Sequence, residues 1–110
     1  SIQLVTELKK IGIDLIDTST GGNVSWQKMT VEPNYQVPYA EKIKNQTGIL
    51  TGAVGLITQA KQAEEILQSQ KGDVIFMARE LLRNPYWPLV AAHEMKESIQ
   101  WPKQYLRGTF

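Results

Sequence analysis

Three short apolar runs, each preceded or followed by a stretch with helical spacing, constrain the fold of this chain more than any other feature. The runs are IDLID at 13–17, ILTGAVG at 49–55 and DVIFMA at 73–78. Continuously apolar strands of this length are typical of a parallel sheet covered on both faces, with helices as the crossover connections. The sequence therefore predicts an α/β fold built from three parallel βα units.

Helices are predicted before and between these runs. Glycine, which readily takes the left-handed conformation that ends a helix, follows three of them, at Gly12, Gly48 and Gly72. The helix before Gly72 is expected from about Thr58, as its N-cap, to Lys71. Pro85 and Pro88 should divide the stretch after the third strand into a short and a longer helix. Residues 18–36 show no clear period, and so long a loop is often functional.

Composition excludes several classes of function. The chain has 110 residues, enough for one domain, with 12 Lys and Arg against 11 Asp and Glu. This near balance gives no electrostatic footprint for nucleic acid or an anionic membrane. There is no cysteine for disulfides or thiolate metal sites, and no apolar run of the roughly 18–20 residues that a membrane helix needs. The first ten residues lack the apolar core of a signal peptide, so we expect a cytoplasmic protein.

The strand and helix repeat fits either a doubly wound sheet or a TIM barrel. A barrel needs eight βα units and typically about 250 residues. With three strand candidates in 110 residues, this chain can supply only part of a barrel.

Residues suited to bind an anion follow two neighbouring strands. Gly55 ends the second run and precedes a predicted helix, whose free N–H groups and dipole favour an anion. Arg79 directly follows the third run, and parallel strands end at one edge of their sheet. A phosphate site is one interpretation. The other is a plain glycine turn, with Arg79 paired to Glu80 or to another surface acid.

The other polar residues indicate no catalytic or metal site in this chain. The only histidine, His93, falls within a predicted helix, where a structural role is the commoner one. Asp14 and Asp17 flank one strand, an arrangement that is normally structural or solvated. No residues have the spacing of a metal-ligand cluster. We therefore expect neither a catalytic residue nor a metal ligand here.

Several motifs carry a family resemblance. TGAVGLIT, QAEEIL, DVIFMARELLRNPYWP and QYLRG, together with DLIDTSTGG and NYQVPYAEKIK, span nearly the whole chain. In this order and spacing, they resemble the C-terminal third of the old yellow enzyme family. The likeness is greatest to its bacterial NADPH dehydrogenase branch, which reduces activated alkenes.

The resemblance implies a fold, a cofactor and a reaction. The family forms TIM barrels that hold FMN noncovalently, take hydride from NAD(P)H onto flavin N5, and pass it to enones or related alkenes. Residues 1–110 would be the C-terminal part of such an enzyme, with the sixth, seventh and eighth strands. Gly55, Ala78 and Arg79 fall on the family's FMN-phosphate site, where Ala78 replaces the usual glycine of a Gly-Arg pair.

The C-terminal tail carries a second implication. Tyr105 and Arg107 match a Tyr-x-Arg-Gly segment that, in this branch, reaches across a dimer interface towards the neighbouring active site. A homo-oligomer is therefore implied, whereas a frayed terminus is the alternative. The family's substrate-binding and proton-donating residues lie on earlier strands, so the chain alone should be inactive.

Two functions of other classes stay open. One is a stand-alone phosphate-binding α/β module that never formed part of a barrel. The other is a structural fragment that self-associates through exposed sheet edges and binds no ligand.

Overall fold

A three-stranded parallel sheet forms the centre of the chain. The computed structural model describes all residues, Ser1–Phe110. The strands are β1 (Leu15–Asp17), β2 (Leu50–Ala53) and β3 (Val74–Ile75), in the order β1-β2-β3. Leu15 lies opposite Leu50, and Gly52 opposite Val74. The predicted α/β class and parallel pairing are confirmed, with strands shorter than the apolar runs that contain them.

Helices alternate with these strands. Five α-helices and one 3-10 helix are present: α1 (Ile2–Lys10), α2 (Val37–Thr47), α3 (Ala60–Gln68), α4 (Arg79–Arg83), α5 (Trp87–Glu94) and the 3-10 helix Lys103–Gly108. The segment 18–36 contains neither helix nor strand, as expected. A short and a longer helix do follow β3, and Pro88 lies in the first turn of α5.

Left-handed residues end the first two helices where glycine was predicted. Gly12 has φ +97° and Gly48 has φ +66°. After α1, the Gly12 N–H donates to the Lys9 carbonyl and the Ile13 N–H to the Leu8 carbonyl, at 3.2 and 3.1 Å. This pair of bonds satisfies carbonyl groups that the helix end leaves free.

The end of α3 differs from the prediction. Gln70, not Gly72, takes the left-handed conformation, at φ +58°. The next N–H, that of Lys71, bonds the Ile66 carbonyl at 3.0 Å. Gly72 instead passes close to the sheet, because a Cβ placed on it would lie 3.0 Å from the Ala53 Cβ. The glycine allows close packing rather than a helix cap.

The helices cover one face of the sheet. The main buried cluster joins α2, α3, β2 and the segment after it: Val37, Ala40, Ala53, Ile57, Ala63 and Ile66. A second cluster consists of Val5, Ile43 and Ile49. Because the strand order follows the chain order, right-handed crossovers bring successive connecting helices to the same side.

The opposite face of the sheet is uncovered, which contradicts the predicted cover on both faces. Leu50, Val74 and Phe76 remain exposed there, at 52%, 37% and 41%. A sheet wound in one direction with helices on one side is the arrangement of a barrel wall, whose other face points to the barrel interior. The fold is therefore consistent with part of a barrel.

A hydrogen-bonded carboxylate lies at the amino end of β3. Asp73 accepts a hydrogen bond from the Lys44 ammonium of α2 and another from the Thr51 N–H of β2, at 2.7 and 2.8 Å. Burial acts to raise the pKa of Asp73, but the bonds from Lys44 and Thr51 outweigh it and hold the pKa below its ordinary value. The ionised carboxylate therefore stabilises the fold by joining α2, β2 and β3.

Replacement of Asp73 by asparagine should lower the free energy of unfolding by about 1.5–3 kcal/mol, the usual contribution of hydrogen bonds to charged groups. Since the folded-state pKa lies below the unfolded-state pKa, this contribution is complete above the unfolded value, about 3.9. It disappears as the pH falls through the folded value. Urea titrations at pH 7 and below pH 4 measure both effects. Asp14→Asn, at an exposed aspartate, is the control; equal losses for the two variants would contradict the prediction.

Candidate functional site

A cavity of about 180 Å³ opens where the carboxyl ends of β2 and β3 meet. Residues 54–58 line it from the end of β2, and residues 76–80 from the end of β3. Arg83 of α4 and the pair Tyr35 and Gln36 from the long loop complete the lining. Gly55, Ala78 and Arg79 are thus brought to one cavity, as their positions after neighbouring parallel strands predict.

Arg79 reaches this cavity without a carboxylate partner in the chain. The three ion pairs of the chain are Lys10–Glu7, Lys44–Asp73 and Arg83–Glu80. Glu80, the acid that the alternative interpretation assigned to Arg79, accepts hydrogen bonds from Arg83 Nε and Nη2 at 3.1 and 2.6 Å. The Arg79–Glu80 pair is not formed, and the Arg79 guanidinium keeps its donors for another acceptor.

Backbone donors accompany this guanidinium. The N–H groups of Gly55, Met77, Ala78 and Arg79 donate to no acceptor within the chain. Ala78 has a negative φ, −120°, so its backbone does not take the left-handed conformation that favours glycine, and the alanine keeps the N–H that a glycine would supply. Amide N–H groups beside an arginine are the donors that phosphate oxygens prefer.

Gly55 is required by the turn itself. Its φ of +127° is disfavoured for other residues, and a Cβ there would lie 3.1 Å from both the Gln36 nitrogen and the Tyr35 ring. Its carbonyl accepts the Asn34 N–H at 2.9 Å. The turn interpretation therefore accounts for the glycine, while Gly55 also lines the cavity and its N–H has no acceptor in the chain.

Gly52, the first glycine of TGAVG, is needed for a different reason than Gly55. Gly52 lies on β2, and a Cβ placed there would overlap the ring of Phe76, which follows β3 and lines the cavity. The missing side chain lets the Phe76 ring lie across β2 on the uncovered face of the sheet.

The start of α3 differs from the prediction. The helix begins at Ala60 with Gln59 as its N-cap, rather than with Thr58. The Oε1 of Gln62 accepts the N–H groups of Thr58 and Gln59, at 3.0 and 3.4 Å. These two amide groups are satisfied inside the chain, so on the β2 side of the cavity the free N–H groups lie before Thr58.

The C-terminal residues lie outside the cavity. Tyr105 and Arg107 belong to the 3-10 helix and are exposed. The Tyr105 ring packs edge-on against Tyr86, with ring centroids 5.6 Å apart. His93 lies on α5, where its ring packs against Phe110 at 4.3 Å.

The chain contains no group of three or more histidine, aspartate or glutamate side chains placed to hold a metal ion. None of its helices combines the length and the apolar character needed to cross a bilayer.

Sequence reasoning missed five residues that shape the cavity: Asn34, Tyr35, Gln36, Gln62 and Phe76. The length of the loop 18–36 marked its region as functional without singling out residues. Gln62 stands at the third helical position, where glutamine favours a capping box, but that signal normally needs serine or threonine at the N-cap.

Several proteins similar in sequence to this chain are NADPH dehydrogenases. The chain is 54% identical over 107 residues to an NADPH dehydrogenase of Bacillus pumilus, covering 97% of this chain and 31% of that protein. It is 57% identical to an NADPH dehydrogenase of Halalkalibacterium halodurans, with the same coverage. An NADPH dehydrogenase of Listeria monocytogenes is 52% identical over 101 residues, covering 92% of this chain and 30% of that protein.

The chain thus spans about a third of the length of these relatives, at high identity throughout. The sequence model of one family, described as NADH:flavin oxidoreductase / NADH oxidase, matches residues 1–98. These matches confirm the resemblance to the old yellow enzymes, and the chain belongs to the NADH:flavin oxidoreductase / NADH oxidase family.

Proposed function

We propose that residues 1–110 form the C-terminal part of a cytoplasmic, FMN-dependent NAD(P)H oxidoreductase and that their cavity holds the phosphate of FMN. In this proposal β1, β2 and β3 are the sixth, seventh and eighth strands of a TIM barrel. The uncovered face of the sheet, with Leu50 and Phe76, would point into the barrel. The family match and the NADPH dehydrogenase relatives support the reaction class.

One observation carries the proposal: an arginine without a carboxylate partner and several free N–H groups line the same cavity. Arg79 supplies charge, and the N–H groups of Gly55 and Ala78 supply donors beside it. A pocket for a drug-sized ligand takes about 300–1,000 Å³, so a cavity of about 180 Å³ suits one end of a cofactor. The donors and the volume both fit a phosphate group.

These residues would bind and orient rather than react. When bound, FMN supplies hydride transfer from NAD(P)H to an activated alkene such as an enone. Arg79 and the two turns would fix the phosphate end, which sets where the ring system lies across the barrel. No residue of the cavity is assigned a proton or hydride step, so the isolated chain should be inactive.

The exposed tail has a proposed role at a subunit contact. Tyr105 and Arg107 would pack against a second copy and bring the Arg107 guanidinium to the neighbouring active site. Their exposure on the 3-10 helix supports this assignment.

The affinity difference between FMN and riboflavin tests the phosphate assignment. Riboflavin has the same ring and ribityl chain but no phosphate, so it cannot use Arg79 or the turn N–H groups. In the full-length protein that contains these residues, FMN should bind at least about tenfold more tightly, the equivalent of one charged hydrogen bond. Equal dissociation constants, measured by flavin fluorescence, would refute the assignment.

Self-association is a second candidate function for the chain by itself. Its uncovered sheet face and the outer edges of β1 and β3 can pair with another copy. We expect dimers or larger species in sedimentation of the 110-residue chain. A single monomeric species at high micromolar concentration would contradict this expectation.

A further inference from the structure

We infer that Gln62 is the positioning residue that holds the phosphate-binding turn in shape, an inference that rests on the proposed function. The turn comprises residues 54–58, between β2 and α3. Gln62 does not line the cavity; it lies on α3 and contacts the turn through its side-chain amide.

Both ends of the Gln62 amide are used. Its Nε2 donates to the Leu56 carbonyl at 3.0 Å and to the Asn34 Oδ1 at 2.6 Å. Its Oε1 accepts the N–H groups of Thr58 and Gln59. One half-buried side chain therefore joins the turn, the start of α3 and the loop 18–36.

The turn needs such support because its backbone is unusual. Gly55, Leu56 and Asn34 all have positive φ, at +127°, +49° and +65°. The left-handed region is disfavoured for leucine and only tolerated by asparagine. The bond from Gln62 to the Leu56 carbonyl fixes one side of the turn, and the Asn34 N–H bond to the Gly55 carbonyl fixes the other.

The shape of the turn before the cofactor binds affects the affinity for the phosphate. The free N–H of Gly55 is useful to a phosphate only if the turn already holds it towards the cavity, because ordering the turn on binding would consume part of the affinity. Gln62 thus acts through Leu56 and Asn34 without touching the cofactor.

Gln62→Glu separates this role from helix capping. Glutamate keeps an oxygen acceptor for the Thr58 and Gln59 N–H groups but loses both donors, and it places a carboxylate against the Leu56 carbonyl. Gln68→Glu is the matched control, because Gln68 lies on the same helix and donates a hydrogen bond to Glu64 at the exposed surface. Both variants are made in the full-length protein that contains residues 1–110.

The readout is the ratio of the riboflavin and FMN dissociation constants. We expect Gln62→Glu to weaken FMN binding roughly tenfold and to leave riboflavin binding unchanged, whereas Gln68→Glu leaves both unchanged. An unchanged ratio would overturn the inference, whether both affinities stay at the parent value or both fall equally because of a general structural defect.

Asn34→Gly provides a second test that avoids the helix. Glycine accepts the positive φ and keeps the N–H bond to the Gly55 carbonyl, while the acceptor for Gln62 Nε2 is removed. This variant adds no charge near the phosphate, so it separates positioning from repulsion by the carboxylate of Gln62→Glu. FMN affinity should fall by a smaller factor than in Gln62→Glu, with riboflavin affinity unchanged; an unchanged FMN affinity in Asn34→Gly overturns the inference. A parent protein that does not prefer FMN to riboflavin refutes the proposed function and this inference together. A parent that prefers FMN, with variants that keep the preference, refutes only the inference.

Discussion

Replacement of Arg79 by alanine is expected to weaken FMN binding by about 1.5–3 kcal/mol, or roughly 10- to 150-fold. Arg79 lines the cavity, and the neighbouring acid Glu80 is already paired with Arg83. Its charge is therefore free for a phosphate. Because the Arg79 side chain forms no ion pair within the chain, the free energy of unfolding without cofactor should change little.

Two further variants make this experiment specific. Arg79→Lys should give an intermediate affinity, since an ammonium keeps the charge but loses the planar fork that binds two oxygens. Lys42→Ala removes one positive charge from the exposed surface of α2, away from the cavity, and should leave FMN affinity unchanged. Fluorescence titration with FMN and riboflavin measures all three proteins beside the parent. An unaltered FMN affinity in Arg79→Ala would remove this residue from the phosphate site.

The features that sequence predicted well depend on local chemistry. Gly12 and Gly48 end helices because a left-handed residue is needed there, and glycine takes that conformation most easily. The meeting of Gly55 and Arg79 at one cavity follows from a single rule, that neighbouring parallel strands end at the same edge. Neither prediction needed any side-chain packing.

Features that depend on distant contacts were not predictable in the same way. Gln62 and Asn34 are 28 residues apart, and the short sequence QAEE gives no sign that its glutamine bonds a loop that precedes α2 and β2 in the chain. Thr58 resembled an N-cap, yet its carbonyl accepts the Trp87 indole N–H at 2.7 Å and its own N–H bonds Gln62. A tertiary bond occupies the Thr58 carbonyl and a local bond to the Gln62 side chain occupies its N–H, and the helix starts after it.

Which faces of the sheet are covered could not be predicted from the sequence either. The apolar sequence pattern of a strand is the same whether its second face packs against helices or against the interior side chains of a barrel. Leu50 and Val74 are apolar and exposed here. The sequence pattern alone could not show that the helices of this chain leave this face uncovered.

Replacement of Gly55 by valine is expected to lower both stability and FMN affinity. A β-branched side chain at φ +127° is strained, at about 1–3 kcal/mol for such a conformation. Its Cβ would also lie 3.1 Å from the Gln36 nitrogen and the Tyr35 ring, so the turn or the loop must move. Movement of the turn displaces the Gly55 N–H from the cavity.

A control at Gly12 separates the effect of backbone strain from the effect of side-chain contacts at Gly55. Gly12 also has positive φ, at +97°, but a Cβ there would meet nothing within 4 Å, and it lies at the end of α1 outside the cavity. Gly12→Val should therefore reduce the free energy of unfolding while FMN affinity stays at the parent value, whereas Gly55→Val should reduce both. Gly55→Ala, with the same close Cβ contacts but no branching, should lie between parent and Gly55→Val in FMN affinity. If Gly55→Val binds FMN as tightly as Gly12→Val does, the shape of this turn is not what holds the phosphate. The binding would then have to come from Arg79 and the segment after β3.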